Sequence, residues 1–249
     1  MIVDYPMLLT HERSEILRDN TISNRKKLLE KDMKILFFGD SITDMGRNRE
    51  LNKSTDVWSY GIGYPMFVAG SLYGENPQKY EVLNRGISGN RVVDLYARIK
   101  EDVWDLQPDV FSILIGINDV WREIEGKGGV GLDRFEKVYR MLIEDTKKVL
   151  PDVKIVLCEP FVLEGCTTVE KGTDRFQRFC EVYKYAEVVK NLAQEYGLYF
   201  LPLQEKLNGA AQKFGADKYL FDGVHPMVAG AKLIADEWIE LFKKKVGQA

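Results

Sequence analysis

Ile35-Leu36-Phe37-Phe38-Gly39-Asp40-Ser41-Ile42-Thr43-Asp44 is the stretch on which the fold turns. Four consecutive apolar residues read as a strand buried on both faces, the pattern of a parallel sheet covered by helices. The run stops at Gly39-Asp40, and a small hydroxyl residue stands where the chain must leave the sheet. Ligands of open parallel sheets bind outside the carboxyl ends of the strands, so Ser41 is placed for chemistry. On this stretch alone, capping the next helix is the commoner role for such a serine.

Outward from it, strand-like and helix-like runs alternate. Strands are predicted at Lys34–Phe38, Tyr80–Asn84, Val110–Ile115, Val153–Cys158 and Leu198–Leu201, each rich in Val, Ile, Leu, Phe or Tyr. Helices are predicted at Tyr64–Leu72, Val92–Leu106, Leu132–Leu150, Asp174–Tyr196 and Val228–Val246. Val93, Ala97 and Val103 are the expected inner face of the second, and Gly197 is the expected C′ glycine of the fourth. This alternation predicts an α/β fold with one parallel sheet covered on both faces. No linker or repeat divides the chain. Residues 1–33, dense in charge with a modest apolar stripe, are expected to form a helical extension, and 34–249 a single domain.

The charge balance, 35 basic against 38 acidic residues, offers no electrostatic footprint for nucleic acid or an anionic membrane. No apolar run has the length of a membrane span. Cys158, Cys166 and Cys180 form no CxxC pair, which argues against a disulfide framework or zinc site and fits a reducing cytoplasm. No basic region followed by an apolar one opens the sequence as a secretory signal would.

Three further stretches fall in loops expected at the same sheet edge as Ser41. Asn84-Arg85-Gly86-Ile87-Ser88-Gly89-Asn90 follows the second strand, and its two glycines permit positive φ and close approach of backbone N–H groups to a ligand. Gly116-Ile117-Asn118-Asp119 follows the third strand; Asn118 either closes its own loop or points an amide N–H at a developing negative oxygen. Phe221-Asp222-Gly223-Val224-His225-Pro226 precedes the last helix and holds one of only two histidines, three residues after an acid able to fix its tautomer. Acyl transfer requires this set: a hydroxyl, a base to take its proton, a group to orient the base and fixed donors for an oxyanion.

Gly-Asp-Ser at 39–41, the Gly89 loop, Gly-x-Asn-Asp at 116–119 and Asp-x-x-His at 222–225 resemble, in order, the four blocks of the SGNH (GDSL-type) hydrolases. The longer strings at 39–47, 86–92 and 116–122 resemble the bacterial serine acetylxylan esterases of that family. The resemblance implies a three-layer α/β/α sandwich of flavodoxin-like type with about five parallel strands. It implies Ser41 as nucleophile, His225 as general base and then acid, Asp222 as its orienting group, and the Ser41 N–H, Gly89 N–H and Asn118 amide as oxyanion donors. It calls for no metal and no organic cofactor. Asp40 and Asp119 are read as structural acids that hold their turns.

The expected reaction is hydrolysis of acetyl or other short-acyl esters through an acyl-enzyme on Ser41, with acetylated xylo-oligosaccharides as the expected substrates. Trp121, Arg122, Arg47 and Tyr64 are the candidate sugar contacts, since an aromatic face beside guanidinium donors suits a sugar ring; Trp121 reads equally well as core or subunit contact. A homo-oligomer is expected from the charged extension and the family. Broader short-chain acylhydrolase, lipase-like or thioesterase activity is the alternative within the class. A non-catalytic flavodoxin-like binding module is the alternative outside it, opposed by Asp40 and Asp44 beside the loop where a phosphate would sit. The G-x-S-x-G serine motif is absent. A magnesium site built from Asp40, Asp44, Asp119 and Asp222 would leave Asn118 and the Asp222–His225 spacing unexplained.

Overall fold

In the computed structural model, which describes residues 32–51 and 54–248, the stretch at 35–38 lies wholly buried in an inner strand of a five-stranded sheet. β1 (Met33–Gly39), β2 (Tyr80–Asn84), β3 (Val110–Leu114), β4 (Lys154–Cys158) and β5 (Tyr199–Leu201) are all parallel, in the order β2-β1-β3-β4-β5. The expected helical extension over 1–33 falls, but for its last two residues, outside the described residues.

The helices are α1 (Ser41–Asp44), α2 (Tyr64–Glu75), α3 (Val92–Asp102), α4 (Ile117–Ile124), α5 (Leu132–Val149), α6 (Arg175–Phe179), α7 (Val182–Glu195), α8 (Gln204–Phe214) and α9 (Val228–Leu241). α2 packs on α9 along one side of the sheet, and α3, α5 and α7 pack in series along the other. Alternation along β1 shows why both layers are needed. Phe37 meets Tyr64 and Trp238 edge-on, at ring separations of 5.4 and 5.0 Å. Its neighbour Phe38 points the other way, to Phe111 and the guanidinium of Arg98. The buried Trp238 N–H donates to Ser112 Oγ at 3.0 Å, so the polar atom of the largest core side chain is satisfied.

Three helical features differ from expectation. The helix expected over 174–196 breaks into α6 and α7 around Cys180–Glu181. The buried face of α3 is Val92, Leu95 and Ile99, a clean i, i+3, i+7 stripe; Ala97 is exposed and Val93 only half-buried. The last helix turns into a single π turn over Phe242–Val246.

The sheet order reverses between β1 and its neighbours β2 and β3. That reversal leaves a crevice at the carboxyl ends of β1 and β3, where this class of sheet holds its ligands. Ser41 follows β1 and Asn118 follows β3.

Candidate active site

β1 ends at Gly39, where no side chain fits: a Cβ would lie 2.4 Å from both Leu114 O and Thr43 Oγ1. Asp40 then caps α1, its Oδ1 accepting the Ile42 N–H at 2.9 Å, and Ser41 emerges as the first residue of the helix. The turn is therefore held by Asp40, leaving the Ser41 hydroxyl free for another partner.

That partner is His225, whose Nε2 lies 2.8 Å from Ser41 Oγ across 184 residues of chain. His225 Nδ1 lies 2.8 Å from Asp222 Oδ2, while Asp222 Oδ1 accepts the backbone N–H groups of Val224 and His225 at 2.9 and 2.7 Å. The carboxylate is thereby fixed before it orients the ring. Burial pushes Asp222 up, but the bonds from His225 and the two backbone N–H groups outweigh it and hold the carboxyl below its usual range. Burial likewise pulls His225 down, and the Asp222 hydrogen bond with the charges of Asp222 and Asp40 outweighs it, so the imidazole lies above its ordinary 6.5.

A second segment locks this loop from behind. Leu163 N–H donates to Gly223 O at 2.9 Å and Thr167 N–H to Asp222 O at 3.1 Å. Gly165 presses so closely that a Cβ would meet Gly223 N at 2.1 Å and the Asp222 carbonyl carbon at 2.2 Å.

On the other bank of the crevice, Gly89 adopts φ +81°, a backbone state glycine favours, and its N–H makes no bond within the described residues. Asn118 is almost wholly buried at the second position of α4; its Nδ2 donates to Asn90 O at 3.1 Å, which ties it to the Gly89 turn, and its side chain also helps to lower the pKa of the Asp40 carboxyl. Beneath it, Asp119 accepts the Val92 N–H at the start of α3. Burial raises Asp119 well above the usual carboxylate range, and burial likewise pushes Asp40 up to about 7. Among the described residues, no donor meets the buried Asp40 Oδ2 in hydrogen-bonding geometry. The four acids a magnesium site would need are engaged separately: Asp40 on its turn, Asp44 on Ser88, Asp119 on Val92 and Asp222 on His225.

The expected sugar contacts do not all reach the crevice. Trp121 does: its half-buried ring lies 6.1 Å from the His225 ring and 5.6 Å from Phe179. Tyr64 does not, being fully buried against Phe37 with its hydroxyl 3.2 Å from Thr43 Oγ1. Arg47 is also buried, its Nε donating to Gly86 O at 2.8 Å. Both residues follow the nucleophile in sequence, but the chain folds them beneath the loop rather than onto the rim. Arg122 turns to the backbone, Nη2 donating to Gly89 O at 2.9 Å. Sequence reading missed Phe221, half-exposed and stacked on His225 at 5.7 Å with 21° between the planes. Its position directly before Asp222 was the available signal.

A hydroxyl, an imidazole and a carboxylate in one hydrogen-bonded line, at the switch point of a parallel sheet, define a serine hydrolase. The sequence matches the GDSL-like lipase/acylhydrolase family over residues 37–233. An acetylxylan esterase of Geobacillus stearothermophilus is 38% identical over 219 residues, 86% of this chain and 94% of that one. The crystal structure of Axe2, an acetylxylan esterase from Geobacillus stearothermophilus, superposes with a TM-score of 0.73 at 36% identity, covering 84% of this chain and 93% of that one. A structure described as a GDSL-like lipase, from Parabacteroides merdae, gives a TM-score of 0.80 at 37% identity, covering 86% and 97%. The chain belongs to the GDSL-like lipase/acylhydrolase family and is a carboxylic ester hydrolase of the acetylesterase type. Among the described residues, no helix is long and apolar enough to cross a membrane.

Proposed function

We propose that this enzyme removes acetyl groups from sugar esters, with acetylated xylo-oligosaccharides as its substrates and Ser41 as its nucleophile. The observation that carries the chemistry is the unbroken line from Ser41 Oγ through His225 to Asp222, 2.8 Å at each step. Neutral His225 accepts the Ser41 proton as Oγ attacks the ester carbonyl. Asp222 holds the Nδ1–H tautomer and stabilises the imidazolium. The carbonyl oxygen, negative in the tetrahedral intermediate, receives the N–H groups of Ser41 and Gly89 and the side-chain amide of Asn118. His225 then protonates the leaving sugar hydroxyl, and the acetyl group stays on Ser41. Water attacks that acetyl-enzyme with His225 again taking the proton, and Ser41 is released with acetate.

The sugar assignment is supported by the relative's description as an acetylxylan esterase and by the two rings, Trp121 and Phe221, that flank His225 beside the scissile bond. The unpaired state of all three cysteines supports a cytoplasmic setting, and exposed Trp58 and Ile62 support association between copies of this chain. The test is acetate release from a panel of acetylated xylo-oligosaccharides, compared with acetyl and octanoyl p-nitrophenyl esters, with Ser41→Ala as control. Acetyl esters turn over and Ser41→Ala does not. Preference for octanoyl removes the acetyl assignment, and indifference to the sugar removes the carbohydrate one.

A further inference from the structure

The Ser88–Gly89 peptide unit presents the N–H assigned above to the oxyanion, and the two peptide units flanking it are held by opposite charges. On its amino side, Ser88 N–H and Ser88 Oγ both donate to Asp44 Oδ2, at 2.8 and 2.9 Å. On its carboxyl side, Gly89 O accepts from Arg122 Nη2 at 2.9 Å, and the next carbonyl, Asn90 O, accepts from Asn118. Asp44 is buried at the last position of α1, three residues after Ser41, and is ion-paired with Arg49. Arg122 lies in α4, four residues after Asn118. The helices that carry the nucleophile and the amide donor thus each extend one charged side chain to the turn between them.

The need for such a clamp follows from the glycine. A peptide unit ahead of a glycine can rotate about its flanking bonds at little steric cost, because no Cβ opposes it. Rotation by half a turn would bring the Ser88 carbonyl oxygen, rather than the Gly89 N–H, to the developing negative charge. Pinning both neighbouring units with charge-assisted bonds fixes the plane of the central one.

We propose that Asp44 and Arg122 are positioning residues that hold the Gly89 N–H aimed at the oxyanion, and that Arg122 therefore serves the transition state rather than the sugar. This rests on Gly89 being an oxyanion donor. Asp44 is suited to the task, because its bonds with Arg49 and Ser88 outweigh burial and keep the carboxyl below the usual range, hence an ionised acceptor.

Steady-state kinetics on p-nitrophenyl acetate with Asp44→Asn, Arg122→Met and Arg122→Lys test this. They are paired with inhibition by phenylboronic acid, whose tetrahedral adduct on a serine places an oxygen where the oxyanion forms. Asp44→Asn and Arg122→Met should each lose roughly 10- to 100-fold in kcat, part of what deleting a donor costs, with KM within about twofold. Phenylboronate affinity should fall by the same factor, and Arg122→Lys, which keeps a donor, should recover part of both. If Arg122→Met raises KM at unchanged kcat, Arg122 is a substrate contact and the proposal fails. Unchanged boronate affinity in both variants also overturns it. Should Asp44→Asn not fold, Ser88→Ala decides for that side: its side chain is exposed, and only the Oγ bond to Asp44 is lost. Its boronate affinity should weaken measurably, and wild-type affinity there removes Asp44 from the assignment. Asn118→Ala in the same assay separates the two readings. A loss of at least 100-fold there with wild-type behaviour of the clamp variants sinks only the clamp, whereas less than about tenfold sinks the oxyanion hole itself.

Discussion

The two banks of the crevice are built by different means. The oxyanion bank, from Ser41 through Gly89 to Asn118, adds to its backbone ties, such as Ile87 N–H on Gly39 O at 3.0 Å, a set of side-chain clamps: Asp40 on Ile42, Asp44 on Ser88, Arg122 on Gly89 and Asn118 on Asn90. The acid–base bank, Asp222 to His225, is tied to the segment behind it by backbone against backbone, with Leu163 and Thr167 bonded to Gly223 and Asp222 and Gly165 in contact with both. The first arrangement can be retuned one residue at a time, and substitutions there should change rate with little change in fold. The second fixes a single imidazole through the main chain, and disturbing it should cost stability together with rate.

The largest effect expected is on the acid–base bank. Asp222→Asn should lower kcat by about 10⁴-fold with little change in KM, because the imidazole tautomer is lost while the pocket stays. A KM-only effect in the same assay would show that Asp222 does not orient His225. On the opposite bank, Asn118→Ala should lose roughly 100- to 1,000-fold in kcat with a melting temperature close to wild type. A large fall in melting temperature would show that the two banks are not built differently after all. Gly165→Ala sharpens the contrast from the backbone side. Its Cβ has no room, so about 2 kcal/mol of overpacking strain should lower the melting temperature by roughly 4–8 °C, read by calorimetry, and kcat should fall with it. Wild-type stability would mean the interlock is loose.

The smallest effect is in pH. His225 must be neutral to accept the proton, and its pKa lies above 6.5, so kcat/KM should fall as pH drops through a midpoint above 6.5. Because Asp222 raises that pKa by hydrogen bond and charge, the residual activity of Asp222→Asn should carry its acid limb at lower pH. A midpoint that stays put would assign the limb to another group.

The strands and the four blocks were legible because each signal was local. Buried strands read as apolar runs, and residues at a strand's carboxyl end must share one rim once the sheet is parallel. α4 was not legible. Its buried residues include Asn118 and Asp119 as well as Ile117 and Val120, so polar side chains interrupt the helical stripe, and Asn118 read as part of a loop. α8 offered little more, burying only Gln204 and Leu207. Tyr64 and Arg47 were misplaced because nearness in sequence to Ser41 stood in for nearness in space, whereas the chain tucks both under the turn. Arg122 was read as a sugar contact; the partner it has in the structure, a main-chain carbonyl, has no side-chain signature to read.

The contact between Gly165 and the Asp222–Gly223 backbone carries a consequence for descent. These segments lie more than fifty residues apart, yet neither can gain a side chain or an extra residue at the point of contact unless the other yields. They should be inherited as a matched pair. A chimera that borrows only one of them from a relative would lose its base even though every catalytic side chain was still present.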